Sequence, residues 1–306
     1  MEYKHFEGLI AATFTPFFPN GELNLEIIPE YARRLKEEEG VKGVFVCGSS
    51  GEGLLMGIEE RKELAEAWMP FSEDQFRVIV HVGSTSTKIA KELSSHAASI
   101  GADAIGCMGP CCFQPKDARS LTAFCAEVAS ASPKLPFYYY HIPSTSGVYV
   151  KMNEFLQIAG KVIPNLAGIK FTNADMMDMM ECMNMENGKY DILHGHDETL
   201  LAGMTLGAKA AIGTTFNFIA PVFNKLIDKF RLKQLDEALE IQKKINKVIA
   251  IMLSTGSPIS GGKTIMKMSG LDCGPCRQPL STLSDMQEKQ LKGKLEEAGY
   301  FKLTGA

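Results

Sequence analysis

Apolar residues recur along this chain in two alternating rhythms. Short runs of apolar and small residues stand at 9–14, 43–47, 77–82, 104–108, 137–142, 166–172, 192–195 and 210–214. After a turn, each gives way to a stretch with apolar residues at three- and four-residue spacing, at 25–39, 58–68, 85–100, 117–131, 152–159, 174–185, 198–206 and 221–230. The short runs read as strands covered on both faces, and the longer stretches as helices with one face inward. Strict alternation of the two predicts parallel strands joined by crossover helices. Eight such units is the closure number of a (β/α)8 barrel, so the predicted fold class is α/β, a TIM barrel. An open doubly wound sheet is the competing arrangement, but no Gly-x-Gly-x-x-Gly follows the first run. Beyond about residue 232 only helical spacing remains, at 235–253, 261–268 and 283–298. The expected organisation is therefore a barrel over 1–232 and a C-terminal helical extension over 233–306 packed on it.

One polar residue interrupts this pattern where it is least expected. In Leu166-Ala167-Gly168-Ile169-Lys170-Phe171-Thr172 an apolar strand carries a lysine. Either its ammonium reaches out to water from an edge, or it is a buried amine, kept neutral by desolvation, that can attack a carbonyl carbon. Alternation places Gly168, Lys170 and Thr172 on one face and Ala167, Ile169 and Phe171 on the other. If the bulkier set meets the helices, Lys170 points into the barrel. Tyr138 and Tyr140 likewise share a face of the preceding strand, so Lys170 and Tyr140 are expected to meet near the mouth.

In such barrels chemistry gathers at the C-terminal ends of the strands. The polar residues there are Thr13, Thr15, Ser49, Ser50, His81, Tyr140, Lys170, Thr172, Asp197, Glu198, Thr214 and Asn217. Ser49 and Ser50 lie in the turn Gly48-Ser49-Ser50-Gly51-Glu52-Gly53, whose hydroxyls and N–H groups suit a carboxylate or a phosphate, or serve only the turn. That turn has no Walker lysine.

Composition narrows the classes. A net charge of -4 with 22% charged residues offers no basic patch for nucleic acid. No run approaches the roughly 20 apolar residues of a membrane span, and Met1-Glu2-Tyr3-Lys4-His5 lacks the plan of a signal peptide. A cytoplasmic protein without nucleic-acid or membrane partners is expected. The eight cysteines are scattered through strands and helices, as free thiols are. Cys273-Gly274-Pro275-Cys276 spells a redox pair, but Arg277-Gln278-Pro279 obstructs the helix start such a pair needs. Six methionines between Asp175 and Met185 read as core packing.

With these residues in view, the chain resembles the dihydrodipicolinate synthase and N-acetylneuraminate lyase family of class I, Schiff-base pyruvate aldolases. The resemblance runs from about Phe6 to Gln278. It is carried by Gly48-Ser49-Ser50-Gly51-Glu52, Tyr140-His141-Ile142-Pro143, Gly168-Ile169-Lys170, Gly195-His196-Asp197-Glu198, Gly213-Thr214-Thr215-Phe216-Asn217 and Gly274-Pro275-Cys276-Arg277, in order and at barrel spacing. It implies that Lys170 forms the imine with a pyruvoyl carbon, that Tyr140 relays protons, and that Ser49 and Ser50 bind the carboxylate. It also implies a homotetramer.

Two departures choose within the family. Synthases resemble Y-N-V-P-S-R-T-G after the fifth strand, where this chain has Thr145 in the arginine's place. They also carry a tyrosine pair after the fourth strand, contributed across a subunit contact, where Cys111-Cys112-Phe113 stands here. Asp197-Glu198 resembles the lyase subgroup, in which such a pair contacts the polyol tail of a sialic acid; by its residues alone Asp197 could equally cap the helix at 198–206. The resemblance thus implies reversible cleavage of N-acetylneuraminate to N-acetylmannosamine and pyruvate, with Thr172, Gly195, Asp197, Glu198 and Thr214 holding the sugar. No metal or organic cofactor is expected. A 2-keto-3-deoxy sugar acid aldolase, a dihydrodipicolinate synthase-like enzyme and a non-catalytic sugar-acid-binding barrel are the alternatives.

Overall fold

The computed structural model describes residues 3–305; Met1 and Glu2, where a leader would begin, lie outside the described residues, as does Ala306. Eight parallel strands close in chain order, with β1 pairing β8. They are β1 Gly8–Ala12, β2 Gly43–Val46, β3 Arg77–His81, β4 Ala104–Met108, β5 Phe137–His141, β6 Leu166–Phe171, β7 Asp191–His194 and β8 Ala210–Gly213. The helices between them are α1 Ile28–Glu37, α2 Ile58–Trp68, α3 Thr87–Ser99, α4 Ala118–Ala129, α5 Pro143–Ser146, α6 Met152–Val162, α7 Met176–Asn184, α8 Leu200–Leu206 and α9 Ala220–Arg231. The C-terminal extension adds α10 Leu235–Leu253, α11 Pro258–Met268, α12 Asp285–Glu297 and α13 Tyr300–Thr304.

All eight predicted strands form, and most end a residue before their apolar run does. The residue beyond the strand keeps a single interstrand bond and then turns into the mouth: Thr172 N–H donates to His141 O (2.8 Å) and Gly195 N–H to Phe171 O (2.9 Å). Helix α2 and helix α10 match their predicted spans. The stretch expected as one helix at 198–206 divides into a tight turn at Asp197–Thr199 and α8. The single turn of α5 has no counterpart in the apolar pattern, since four residues are too few to show a period. Of the methionines on α7, Met179 is fully buried, but Met177 and Met180 are 67% and 41% exposed, so that stripe is only partly core.

Two apolar layers result. Ile10, Phe45, Ile79, Met108, Tyr138, Tyr140, Leu193 and Ile212 fill the barrel, while Leu9, Val44, Val78, Tyr139, Ile169 and Phe171 face the helices. One expectation of alternation is corrected. Ala167, expected on the outer face with Ile169 and Phe171, packs inside the barrel. Between Phe137 and Tyr138 the register slips, with Phe137 opposite Leu166 and Tyr138 opposite Gly168. Ala167 is the extra residue, and such a bulge resets the alternation. Above it the register runs true, and Lys170 stands opposite Tyr140.

Glu39, just past α1, accepts from Ala220 N–H at the start of α9 (2.8 Å) and ties the two helices together. Burial raises its carboxyl from 4.5 to about 7, against the opposing Ala220 bond and Arg34 charge. Between those values the folded chain keeps a proton that the unfolded chain releases. Its contribution is therefore full below about pH 4.5 and is lost as pH rises through 7. Glu39→Gln keeps the acceptor and cannot ionise. It is expected to stabilise the protein at pH 8 by on the order of 1–3 kcal/mol and to change little at pH 4, read from urea midpoints. Equal shifts at both pH values would refute this account.

Among the described residues, no helix is long and apolar enough to cross a membrane, and no group of three or more His, Cys, Asp and Glu side chains could hold a metal ion.

Candidate active site

Lys170 rises from β6 into the barrel mouth with only 4% of its surface exposed. Its Nζ lies 3.9 Å from the centre of the Tyr140 ring and 4.3 Å from that of Phe45. Among the described residues no carboxylate is within ion-pairing reach of it. The edge-residue alternative is thereby excluded. Tyr140 is fixed by edge-on contacts with Phe45 (5.6 Å between centres) and His81 (5.9 Å), and its hydroxyl stands 3.5 Å from Ser49 Oγ.

The turn after β2 is bent by two non-glycine residues in the left-handed region, Cys47 (φ 61°) and Glu52 (φ 55°). Gly53 is obligatory here, because a Cβ would lie 1.8 Å from Cys47 O. The turn's backbone bonds run from Glu52 N–H to Ser49 O and from Gly53 N–H to Gly48 O. Among the described residues the N–H groups of Ser49 and Ser50 donate to nothing else. Thr15, in the loop after β1, braces the turn through Gly51 O (2.5 Å), and Ser50 Oγ meets Thr214 Oγ1 (2.6 Å), just beyond β8.

Three of the polar residues expected at the strand ends are occupied structurally. His81 Nε2 accepts from Met108 N–H (3.3 Å), so Nδ1 carries the proton and donates to Cys47 O (3.0 Å). Burial, then the Arg61 and Lys170 charges, hold the ring neutral well below its ordinary range. His81 is a brace between β2 and β4 and has no nitrogen free for proton transfer. Asn217 is saturated by Tyr31 OH, Ala12 O and Thr214 O. Thr15 is spent on Gly51.

On the far side of the mouth, Asp197 accepts from Thr215 N–H (2.8 Å) and Thr215 Oγ1 (2.7 Å) through one oxygen. Its other oxygen overhangs Gly213, where a Cβ would come within 2.0 Å. Burial raises its carboxyl, and the Thr215 bonds oppose this. Asp197 does not cap its own helix: neither the Asp197–Thr199 turn nor α8 has a side-chain cap. Its carboxylate reaches across the mouth to the β8 turn instead. Glu198 is exposed at the rim. From α10, Gln242 and Asn246 hold the carbonyls of Asp197 and Glu198 (3.2 and 3.0 Å). Among the described residues Thr172 Oγ1 is buried without a partner beside Gly195, whose hydrogen leaves it room.

The structure thus brings Ser49, Ser50, Tyr140, Lys170, Thr172, Gly195, Asp197, Glu198 and Thr214 to one end of the barrel. Cys111 packs against the interior cluster, while Cys112 and Phe113 are exposed. The other tyrosines of the neighbouring β5 do not substitute there: Tyr138 is bonded to Asp191 (3.0 Å) and Tyr139 faces the helices. Cys273 and Cys276 are free thiols, packed against Met266 and Ser260. Surface hollows of about 280 and 390 Å3 sharing Glu7, Gly8 and Leu9 lie at the opposite, N-terminal ends of the strands. Position at that end, by the logic of the fold, marks them as remote from the chemistry. Sequence reasoning passed over Arg61 and Lys263. Their signal was faint, a lone basic residue on an otherwise inward helix face, and for Lys263 the Gly261-Gly262 pair, which lets α11 approach Met252 through the first glycine and Phe14 through the second.

The profile of the dihydrodipicolinate synthetase family matches residues 5–298, twenty beyond the reach of the resemblance read from motifs. The N-acetylneuraminate lyase of Rattus norvegicus is 38% identical over 305 residues, covering 99% of this chain and 95% of that protein. The solved structure of Proteus mirabilis N-acetylneuraminate lyase superposes with a TM-score of 0.93 at 37% identity, covering 97% and 100% of the two chains. A Ruminococcus gnavus sialic acid aldolase, solved as a catalytic lysine mutant, gives 0.88 at 30% identity over 96% and 97%.

Proposed function

The chain belongs to the dihydrodipicolinate synthetase family, and from that premise we propose that it cleaves N-acetylneuraminate reversibly to N-acetylmannosamine and pyruvate as a class I aldolase. The observation that carries the reading is Lys170, buried and unpaired on the face of Tyr140. The names of the relatives select the substrate, and the Ruminococcus gnavus aldolase, solved with its catalytic lysine replaced, is one whose chemistry needs such an amine.

The substrate carboxylate docks on the N–H groups of Ser49 and Ser50. Lys170 adds through Nζ to the C2 ketone of the open-chain sugar, and with one proton taken from solvent the loss of water leaves a protonated imine. The C3–C4 bond then breaks with its electrons passing into the imine, giving an enamine, while the C4 hydroxyl proton is relayed through Tyr140, which accepts it as its own hydroxyl proton passes on towards C3. N-acetylmannosamine leaves, C3 takes up a proton, and water releases pyruvate and Lys170. Thr172 Oγ1, the Gly195 backbone, the free oxygen of Asp197, Glu198 and Thr214 hold the polyol, each as a donor or acceptor for hydroxyls. The imine is itself the electron sink, so the steps as written use no metal or organic cofactor. A cytoplasmic homotetramer belongs to the same reading. It fits the exposure of Phe113 and Tyr149, 87% and 77% in the single chain, and sedimentation measures it.

Pyruvate release is expected to be faster from N-acetylneuraminate than from 2-keto-3-deoxy-gluconate. Borohydride added with pyruvate is expected to mark the Lys170 peptide in mass analysis. The reverse preference would assign the site to a 2-keto-3-deoxy sugar acid. Saturable binding without pyruvate would make the barrel a sugar-acid binder.

A further inference from the structure

The turn that presents Ser49 and Ser50 is anchored from outside the barrel. Glu52, one of its two left-handed non-glycine residues, is fully buried, and Oε1 lies 2.7 Å from Nζ of Lys263 on α11, itself 4% exposed. Lys263 also donates to Pro275 O (2.8 Å) and lies over the Phe17 ring (4.7 Å). The second oxygen of Glu52 accepts from Arg277 N–H (2.7 Å). The Arg277 side chain in turn clamps Glu60, Gly21 O and Leu55 O around the same turn. A buried ion pair contributes little net stability against apolar residues of similar size. Its effect is geometric. Left-handed backbone at a non-glycine residue is strained and persists only where its surroundings hold it. Cys47 is held by His81, through its carbonyl; Glu52 is held by the C-terminal extension.

We propose that Lys263 is a positioning residue for the carboxylate-binding turn. Through Glu52 it fixes the Ser49 and Ser50 N–H groups where the substrate carboxylate docks, and this makes the C-terminal extension part of the working site. The inference rests on the assignment of that turn to the carboxylate.

The test compares Lys263→Met, Glu52→Gln and the double variant by borohydride trapping of Lys170 with two ketones. Pyruvate has the carboxylate and acetone lacks it. Lys263→Met is expected to raise the half-saturating pyruvate concentration about tenfold, leaving acetone trapping within about twofold of the parent. Glu52→Gln should do the same, and the double variant should be no worse than either single, because both act through one contact. Loss of trapping with both ketones alike marks a general structural role and overturns the proposal, as does an unchanged pyruvate half-saturation in a folded variant. Should Lys263→Met fail to fold around an unpaired Glu52, the double variant, with neither charge buried, is judged by the same criterion. If the parent protein is itself not trapped by pyruvate, the aldolase reading fails and this inference with it. If the parent is trapped and the variants match it, this inference fails alone.

Discussion

Lys170→Met is expected to keep the barrel and to lose pyruvate release by roughly 10^4-fold or more, the scale of deleting a covalent nucleophile. The side chain is 4% exposed and has no carboxylate partner among the described residues, so methionine strands no opposite charge. Methionine also fills the same slot against Phe45 and Tyr140, where Nζ lies 4.3 and 3.9 Å from the ring centres. The melting temperature should therefore stay the same or rise, which separates loss of chemistry from loss of fold. Borohydride with pyruvate should leave the variant unmarked. A surviving adduct, or turnover within tenfold of the parent, would remove Lys170 from the mechanism.

The second large effect is expected for Tyr140→Phe, a fall of about 10^2 to 10^4 in turnover, as for removal of an acid–base group. The substitution deletes one oxygen and keeps the ring. Lys170 retains its aromatic floor, and the contacts with Phe45 (5.6 Å) and His81 (5.9 Å) remain. What goes is the proton carrier and its 3.5 Å approach to Ser49 Oγ. Imine formation with pyruvate should survive while C3–C4 cleavage slows. Loss of the adduct together with turnover would show that the hydroxyl serves the amine rather than the bond-breaking step. A loss below tenfold would take Tyr140 out of proton transfer.

The residues that surprised were those whose partners lie far away in the chain. By its neighbours Asp197 is equally suited to cap the next helix, and its carboxylate instead crosses to Thr215 on the turn after β8. His81 ends a strand like a catalytic group, yet both nitrogens are taken by β2 and β4 backbone. Parity puts Ala167 on the wrong face because one slipped register inverts the count. Lys263 draws no notice in the sequence, since nothing near residue 263 shows that Glu52 is opposite it. Composition and spacing describe neighbours along the chain, whereas these contacts join segments 18 to more than 200 residues apart.

The periodicity of apolar residues determined the eight alternating units, the closed parallel barrel, the helical extension after residue 232 and the inward side of Lys170 and Tyr140. Those follow from local rules, the period of a strand or helix and the number of units that closes a ring. Tertiary structure alone decided which polar side chains at the mouth are free to meet a substrate. A buried donor or acceptor goes to whichever partner the fold brings within about 3 Å, and only closure of the barrel sets that partner. Among the described residues the N–H groups of Ser49 and Ser50, Thr172 Oγ1 and one oxygen of Asp197 were left open in this way, while His81, Asn217 and Glu52 were consumed in holding them there.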